Sequence, residues 1–197
     1  MTHFKEENFS EKMLQKAEQL KLSGEFEKAI SLLQKLIIDD PNFVEAYEEL
    51  GDNYISIRET EKAKKSLLQA LKKNPNSANA SYLLGFLYSL EQRWFLSVEM
   101  LKKSNDLFPN NAEILRCLGW SLYNQNRKAQ GLALLERSKN LKPDDQNILC
   151  DLGICYMNSA DFGKAEEIFN QVVKLNPNSD QAHECICFLD MIKKVEK

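Results

Sequence analysis

The 197-residue chain is poor in the residues that mark reactive chemistry. Its only histidines are His3 and His183, and neither has an obvious catalytic partner. No glycine-rich phosphate loop, no HExxH pair and no Ser–His–Asp order occurs, which removes the common nucleotide-binding, zinc-peptidase and hydrolase sites. The expectation is a protein that is not an enzyme, with no catalytic residue, cofactor or metal. A basic excess is also missing: the net charge is −3, which argues against nucleic acid as the main partner. No apolar run approaches the roughly 18 residues of a membrane span. The opening MTHFKEENFS lacks the basic-then-apolar order of a signal peptide, and Thr2 offers no myristoylation glycine. A cytoplasmic location is therefore expected, with the five cysteines reduced.

Proline and glycine are scarce, at 5 and 7 residues, but their placement is strict. Pro41, Pro75, Pro109, Pro143 and Pro177 stand 34 residues apart, as do Gly51, Gly85, Gly119 and Gly153. Such a period means one supersecondary unit stacked on itself, and 34 is a helix–turn–helix period. Tyr47, Leu50, Gly51 and Tyr54 mark one face of a first helix. Ala63, Leu67 and Ala70 mark a second. Small residues at Gly51 and Ala63 let the two helices approach, and Tyr54 and Leu67 fill the space beside them. Each proline follows the second helix, where it cannot be continued. The Asn or Asp after each proline (Asn42, Asn76, Asn110, Asp144, Asn178) predicts the N-cap of the next helix, with capping-box spacing from Asn42 to Glu45 and from Asn110 to Glu113. Ser10 predicts the first cap, with Phe9 and Leu14 as a hydrophobic staple.

These columns resemble the tetratricopeptide repeat (TPR) family. The pattern is nearly complete at Tyr47, Leu50, Gly51, Tyr54, Ala63, Leu67, Ala70 and Pro75, and it recurs from Leu84, Leu118 and Leu152. The first unit departs, with Lys16 and Ala17 for Leu-Gly, as a terminal repeat should. The resemblance implies an all-α, right-handed superhelical α-solenoid. Residues 1–9 are expected as a tail, and 10–178 as five repeats (about 10–43, 44–77, 78–111, 112–145 and 146–178). Residues 179–197 are expected as a capping helix, with Ala182, Ile186, Leu189 and Ile192 packed on the last repeat and a charged, solvating end.

In that family the first helix of each pair lines a concave groove. The positions left free by packing then predict an acidic end (Glu18, Glu45, Glu48, Asp52). Beyond it come a central set (Tyr82, Phe86, Arg116, Trp120, Tyr123) and an apolar far end (Ile154, Met157). The resemblance implies a scaffold or adaptor that binds a protein or peptide segment, with basic and hydrophobic character matching this surface. The aromatics can equally be core, and the acids a solvated face. The carboxylate clamp of chaperone-binding members is not reproduced: its positions fall on Leu14, Glu18, Glu49, Asn79 and Leu83, so an Hsp70/Hsp90 C-terminal tail is not expected. Self-assembly through the array ends or through Phe95 is one alternative, which makes a homo-oligomer the competing partner. A bacterial secretion-type chaperone is another. Cys150, Cys155, His183, Cys185 and Cys187 match no strong zinc spacing. Cys155 and Cys187 occupy small-residue columns and are expected to be buried.

Overall fold

The structure, a computed structural model, describes residues 2–195, with side chains from 9 to 193. It holds eleven helices and no strand among those residues: α1 Thr2–Leu22, α2 Phe26–Asp39, α3 Val44–Ser56, α4 Thr60–Lys73, α5 Ala78–Leu90, α6 Trp94–Leu107, α7 Ala112–Asn124, α8 Lys128–Leu141, α9 Gln146–Asn158, α10 Phe162–Leu175 and α11 Asp180–Val195. Five antiparallel pairs and one last helix make this an all-α, TPR-type repeat solenoid. The chain divides into two compact units, Met1–Leu107 and Phe108–Lys197. The first carries α1–α6 and the second α7–α11.

Each pair is closed by the same turn. Gly24, Arg58, Gln92, Asn126 and Ala160 all have positive φ, between 57° and 75°, and again stand 34 residues apart. The following amide donates to the carbonyl five residues back, as from Glu59 to Tyr54 (2.9 Å) and from Asp161 to Tyr156 (3.0 Å). This is the Schellman closure of a helix C-terminus, and it suits glycine best. Only the first turn has one.

The turns between pairs correct the predicted caps by one residue. Ser77, Asn111 and Asp145, two places after their prolines, accept from amides of the first helical turn. Phe43 holds the same place without a side-chain cap. The residue after proline is instead a turn residue, and Asn110 sits in the left-handed region. Asp40, Asn74 and Asn176, just before their prolines, accept the amide two residues on in Asx turns that lead out of the helix (3.2, 3.0 and 3.2 Å). A second correction falls at the start. α1 begins at Thr2, so residues of the expected tail are helical, and Ser10 is buried inside α1 rather than capping it.

The repeat columns meet as their sizes require. In unit 1 a Cβ on Gly51 would lie 2.7 Å from Leu67, and one on Gly85 2.6 Å from Leu101. In unit 2 Gly153 faces the Phe169 ring in the same way, whereas Gly119 and Gly131 face each other's backbone. Where the small column holds serine, the hydroxyl is satisfied across the pair. Ser97 donates to the Gly85 carbonyl (2.8 Å), and Ser104 and Ser138 to those of Ala78 and Ala112 (2.8 and 2.6 Å). Tyr54 and Tyr156, three repeats apart, also bond alike: Tyr54 accepts from Gln34 (3.0 Å), and Tyr156 donates to Glu136 (2.6 Å). Burial and that carboxylate push the Tyr156 phenol up from its ordinary range. Unit 1 is centred on Ala29, Leu33, Leu36, Leu50, Leu67 and Leu84. Unit 2 is centred on Leu135, Leu149, Leu152, Phe169 and Leu189.

Candidate partner-binding surface

The odd-numbered helices carry the residues that packing alone would leave free. Several of those residues already have partners inside their own unit. In unit 1, Lys21 on α1 bridges to Glu49 and Asp52 on α3, each at 2.7 Å. Burial pushes the Glu49 carboxyl up despite that bridge. Burial alone would lower Lys21, but bonds to Asp52 and Glu49 outweigh it and raise the ammonium's pKa. Glu48 is 8% exposed. It accepts from the Ser77 hydroxyl and from Asn79 Nδ2 (2.8 Å), tying α3 to the start of α5. Glu48 and Asp52 are thus helix-bridging groups, and the predicted acidic end shrinks to Glu18, half-exposed, and Glu45, exposed. The unit 1 aromatics come together: Tyr82 and Phe86, one turn apart on α5, are half-exposed and stack at 6.4 Å between centroids.

In unit 2, Arg116 bonds Glu113 on its own helix and Asp151 on α9 (2.6 Å). Burial would lower this guanidinium's pKa, but the Glu113 bond and the neighbouring acids hold it firmly charged. Burial raises the Asp151 carboxyl, opposed by Arg116. Tyr123 is 6% exposed and belongs to the core. Its hydroxyl donates to the Cys155 carbonyl (3.0 Å) and meets Ser159 Oγ at 2.8 Å, so it fastens α7 to α9 instead of facing a ligand. Trp120, Ile154 and Met157 remain half-exposed and rest on the unit 2 core. Around them Asn147 and Asn158 are exposed, while Asn124 donates to the Trp120 carbonyl (2.8 Å).

The last helix departs from expectation. Ala182 and Leu189 are buried and Ile186 packs on the core, as the pattern predicts. Cys187 is exposed, not buried as its small-residue column predicts. Phe188 and Met191 are 51% and 56% exposed, so apolar side chains also face outward on this helix, while the charged end expected at 193–197 lies, beyond Lys193, outside the residues whose side chains are described. Phe188 continues the column of Trp120 and Ile154, and Met191 that of Tyr123 and Met157. Cys155 is buried, and desolvation pushes its thiol up to about 12. Phe95, on α6, is 79% exposed. Among the described residues no group of three His, Cys, Asp or Glu is placed to hold a metal ion. No described helix is long and apolar enough to cross a membrane.

Paired helices in a 34-residue register define a helix–turn–helix repeat protein. The chain belongs to the tetratricopeptide repeat family: two models of that repeat match residues 20–88 and 147–179. Membership makes it a protein-interaction scaffold in the general sense, in a family that is typically non-enzymatic. A search of curated proteins gives no match. Similar solved structures include PilF of Pseudomonas aeruginosa, at TM-score 0.83 and 15% identity, covering 96% of this chain and 86% of that one. Residues 41 to the end of MamA from Desulfovibrio magneticus RS-1 align at TM-score 0.72 and 20% identity, covering 87% and 97%. YrrB, a TPR protein with an unusual peptide-binding site, aligns at TM-score 0.67 and 20% identity, covering 87% and 89%. At these identities the likeness is one of fold.

Proposed function

We propose that the protein holds an extended, largely apolar segment of another protein on its odd-numbered helices. Trp120, Ile154 and Met157 of unit 2 are the principal contacts. The observation that carries this reading is the half-exposure of all three against the unit 2 core, with Trp120 and Ile154 at equivalent positions of α7 and α9 and exposed asparagines on the same helices. Half-buried aromatics resting on a rigid core are typical hot spots, since little side-chain freedom is left to lose on binding. Amides with unused donors and acceptors suit the backbone of an extended peptide. Tyr82 and Phe86 form a second contact of the same kind in unit 1. Glu18 and Glu45 favour a basic residue in the bound segment, with a modest effect, because exposed charges steer encounter more than they add affinity. YrrB's peptide-binding site lends the reading support by analogy of fold only. Five free thiols fit a reducing compartment such as the cytoplasm.

The test is selection of peptides from a random display library on the purified protein, followed by titration of the winners. The expected winners carry aromatic or aliphatic residues, and Trp120→Ala weakens them about tenfold or more while circular dichroism shows the fold intact. Winners that bind wild type and Trp120→Ala equally would remove the assignment.

A further inference from the structure

A large apolar residue recurs at one place on the even-numbered helices: Leu32 on α2, Met100 on α6, Leu134 on α8 and Ile168 on α10. Leu32 and Met100 pack on the unit 1 core. Only α4 departs, with Ser66 at this place. Beside that shorter side chain lies a cleft of about 320 Å³ between α2 and α4, walled by Ile37, Ile38, Tyr47 and Leu50. All of it belongs to unit 1.

The polar groups of the cleft are few and unused. Ser66 is 7% exposed, yet its hydroxyl has no hydrogen-bond partner among the described residues. A buried hydroxyl normally has one. The oxygen is not sealed within the protein, so it opens on the cleft that Ser66 lines. Lys65 stands at the rim, exposed and without an ion pair among the described residues. Its neighbours on α4 differ: Lys62 is paired with Glu59, and Lys64 with Glu61 and Glu91. The walls are held in place. The Tyr47 hydroxyl donates to the Pro41 carbonyl (3.0 Å), and the Lys73 ammonium lies 5.2 Å from its ring centre. Gln34, which also lines the cleft, donates to the Tyr54 hydroxyl (3.0 Å).

These features select a ligand. A cavity of about 150 Å³ holds benzene, so this one has room for a ring and a short substituent. Apolar walls suit the ring, the buried hydroxyl suits a polar group at its inner end, and the unpaired ammonium suits an anion at its outer end. An apolar cleft with a small number of convergent polar groups is the usual form of a small-molecule site. We propose that this cleft binds a small aromatic carboxylate, with the ring against Ile37, Ile38 and Tyr47, a ring hydroxyl on Ser66 and the carboxylate on Lys65.

The probe is 4-hydroxyphenylacetate, titrated into the nitrogen-15-labelled full chain and followed by amide shifts. Shifts centred on the residues that line the cleft are expected, with a Kd of about 0.1–1 mM for a ligand of this size. Ser66→Leu places the usual residue of the column in the cleft. It should weaken binding about tenfold or more by obstruction, and raise the melting temperature by filling the space. Two further variants carry the test if Ser66→Leu does not fold. Ser66→Ala should lower the affinity to that of phenylacetate, which lacks the hydroxyl. Lys65→Gln should weaken the acid by about two- to fivefold and leave 4-hydroxyphenylacetamide unchanged. Shifts scattered over the surface, equal binding by wild type and a folded Ser66→Leu, or equal affinity for acid and amide would each overturn the proposal. So would a blocked Tyr-Glu dipeptide that binds more tightly than the free acid, because the occupant would then be a side chain of another protein. None of these outcomes bears on the Trp120 surface, which the display experiment tests separately.

Discussion

In one column unit 1 carries Glu18, Asp52 and Phe86 and unit 2 carries Trp120 and Ile154; in another unit 1 carries Lys21, Ile55 and Ser89 and unit 2 carries Tyr123 and Met157. Both units must hold successive odd helices together. Unit 1 does so with half-buried ion pairs, from Lys21 to Glu49 and Asp52, and with the buried Glu48. Unit 2 keeps one such pair, Arg116 with Asp151, and otherwise uses the Tyr123 hydroxyl and apolar contact. The difference teaches that a column is a place, not a role. The same register position is a helix-to-helix fastener or an open contact, depending on what stands one repeat further on.

All five cysteines lie in unit 2, which gives a probe of that unit alone. In native buffer Cys187 should react with a thiol reagent at once. Cys155, buried and with its thiolate disfavoured, should react orders of magnitude more slowly, at the rate at which unit 2 opens. Equal rates for the two would mean that unit 2 is loosely packed. The glycine pairs separate the units further. A Cβ on Gly131 would lie 2.6 Å from the Gly119 carbonyl oxygen and 2.7 Å from the Tyr123 nitrogen, both backbone. Gly131→Ala should therefore cost about 3 kcal/mol and speed the Cys155 reaction. Gly51→Ala meets only the Leu67 side chain, should cost about 1 kcal/mol, and should leave Cys155 labelling unchanged. Urea melts and labelling rates measured together decide both points.

Within unit 1, Glu48→Ala leaves Ser77 and Asn79 without their acceptor and should lower stability by about 1–3 kcal/mol. Glu45→Ala, three residues away and exposed, should stay within about 0.5 kcal/mol. If both are neutral, Glu48 is not a fastener and returns to the acidic face. The smallest effect concerns the turns. Ala160→Gly should stabilise unit 2 by about 0.5–1 kcal/mol by relieving a left-handed alanine, and Gly24→Ala should cost unit 1 a similar amount. Thermal melts of the two variants are the check.

The packing columns were legible in the amino-acid order because backbone breakers and small residues are needed at fixed places for helices to touch. Gly51 against Leu67 and Gly153 against Phe169 meet as the spacing implied. What was not legible was whether a polar residue on the odd helices faces water or its neighbour. Lys21, Glu48, Arg116 and Tyr123 find partners 28 to 36 residues away, one repeat plus or minus a turn. Opposite charges at that separation were the signal that could have been read. The caps were misplaced by one residue for a different reason. An asparagine after proline suits either a cap or a turn, and the Asx turns from Asp40, Asn74 and Asn176 show the chain still leaving the previous helix there.

The facing glycines of α7 and α8 also bear on how this chain can change over time. A bulky residue at Gly51 can be accommodated by trimming Leu67, so that position drifts as long as its partner drifts with it. Gly119 and Gly131 have no such partner to trim, because each obstructs the other with main chain. No second substitution restores the first, and the hairpin between them should be the slowest part of the array to diverge.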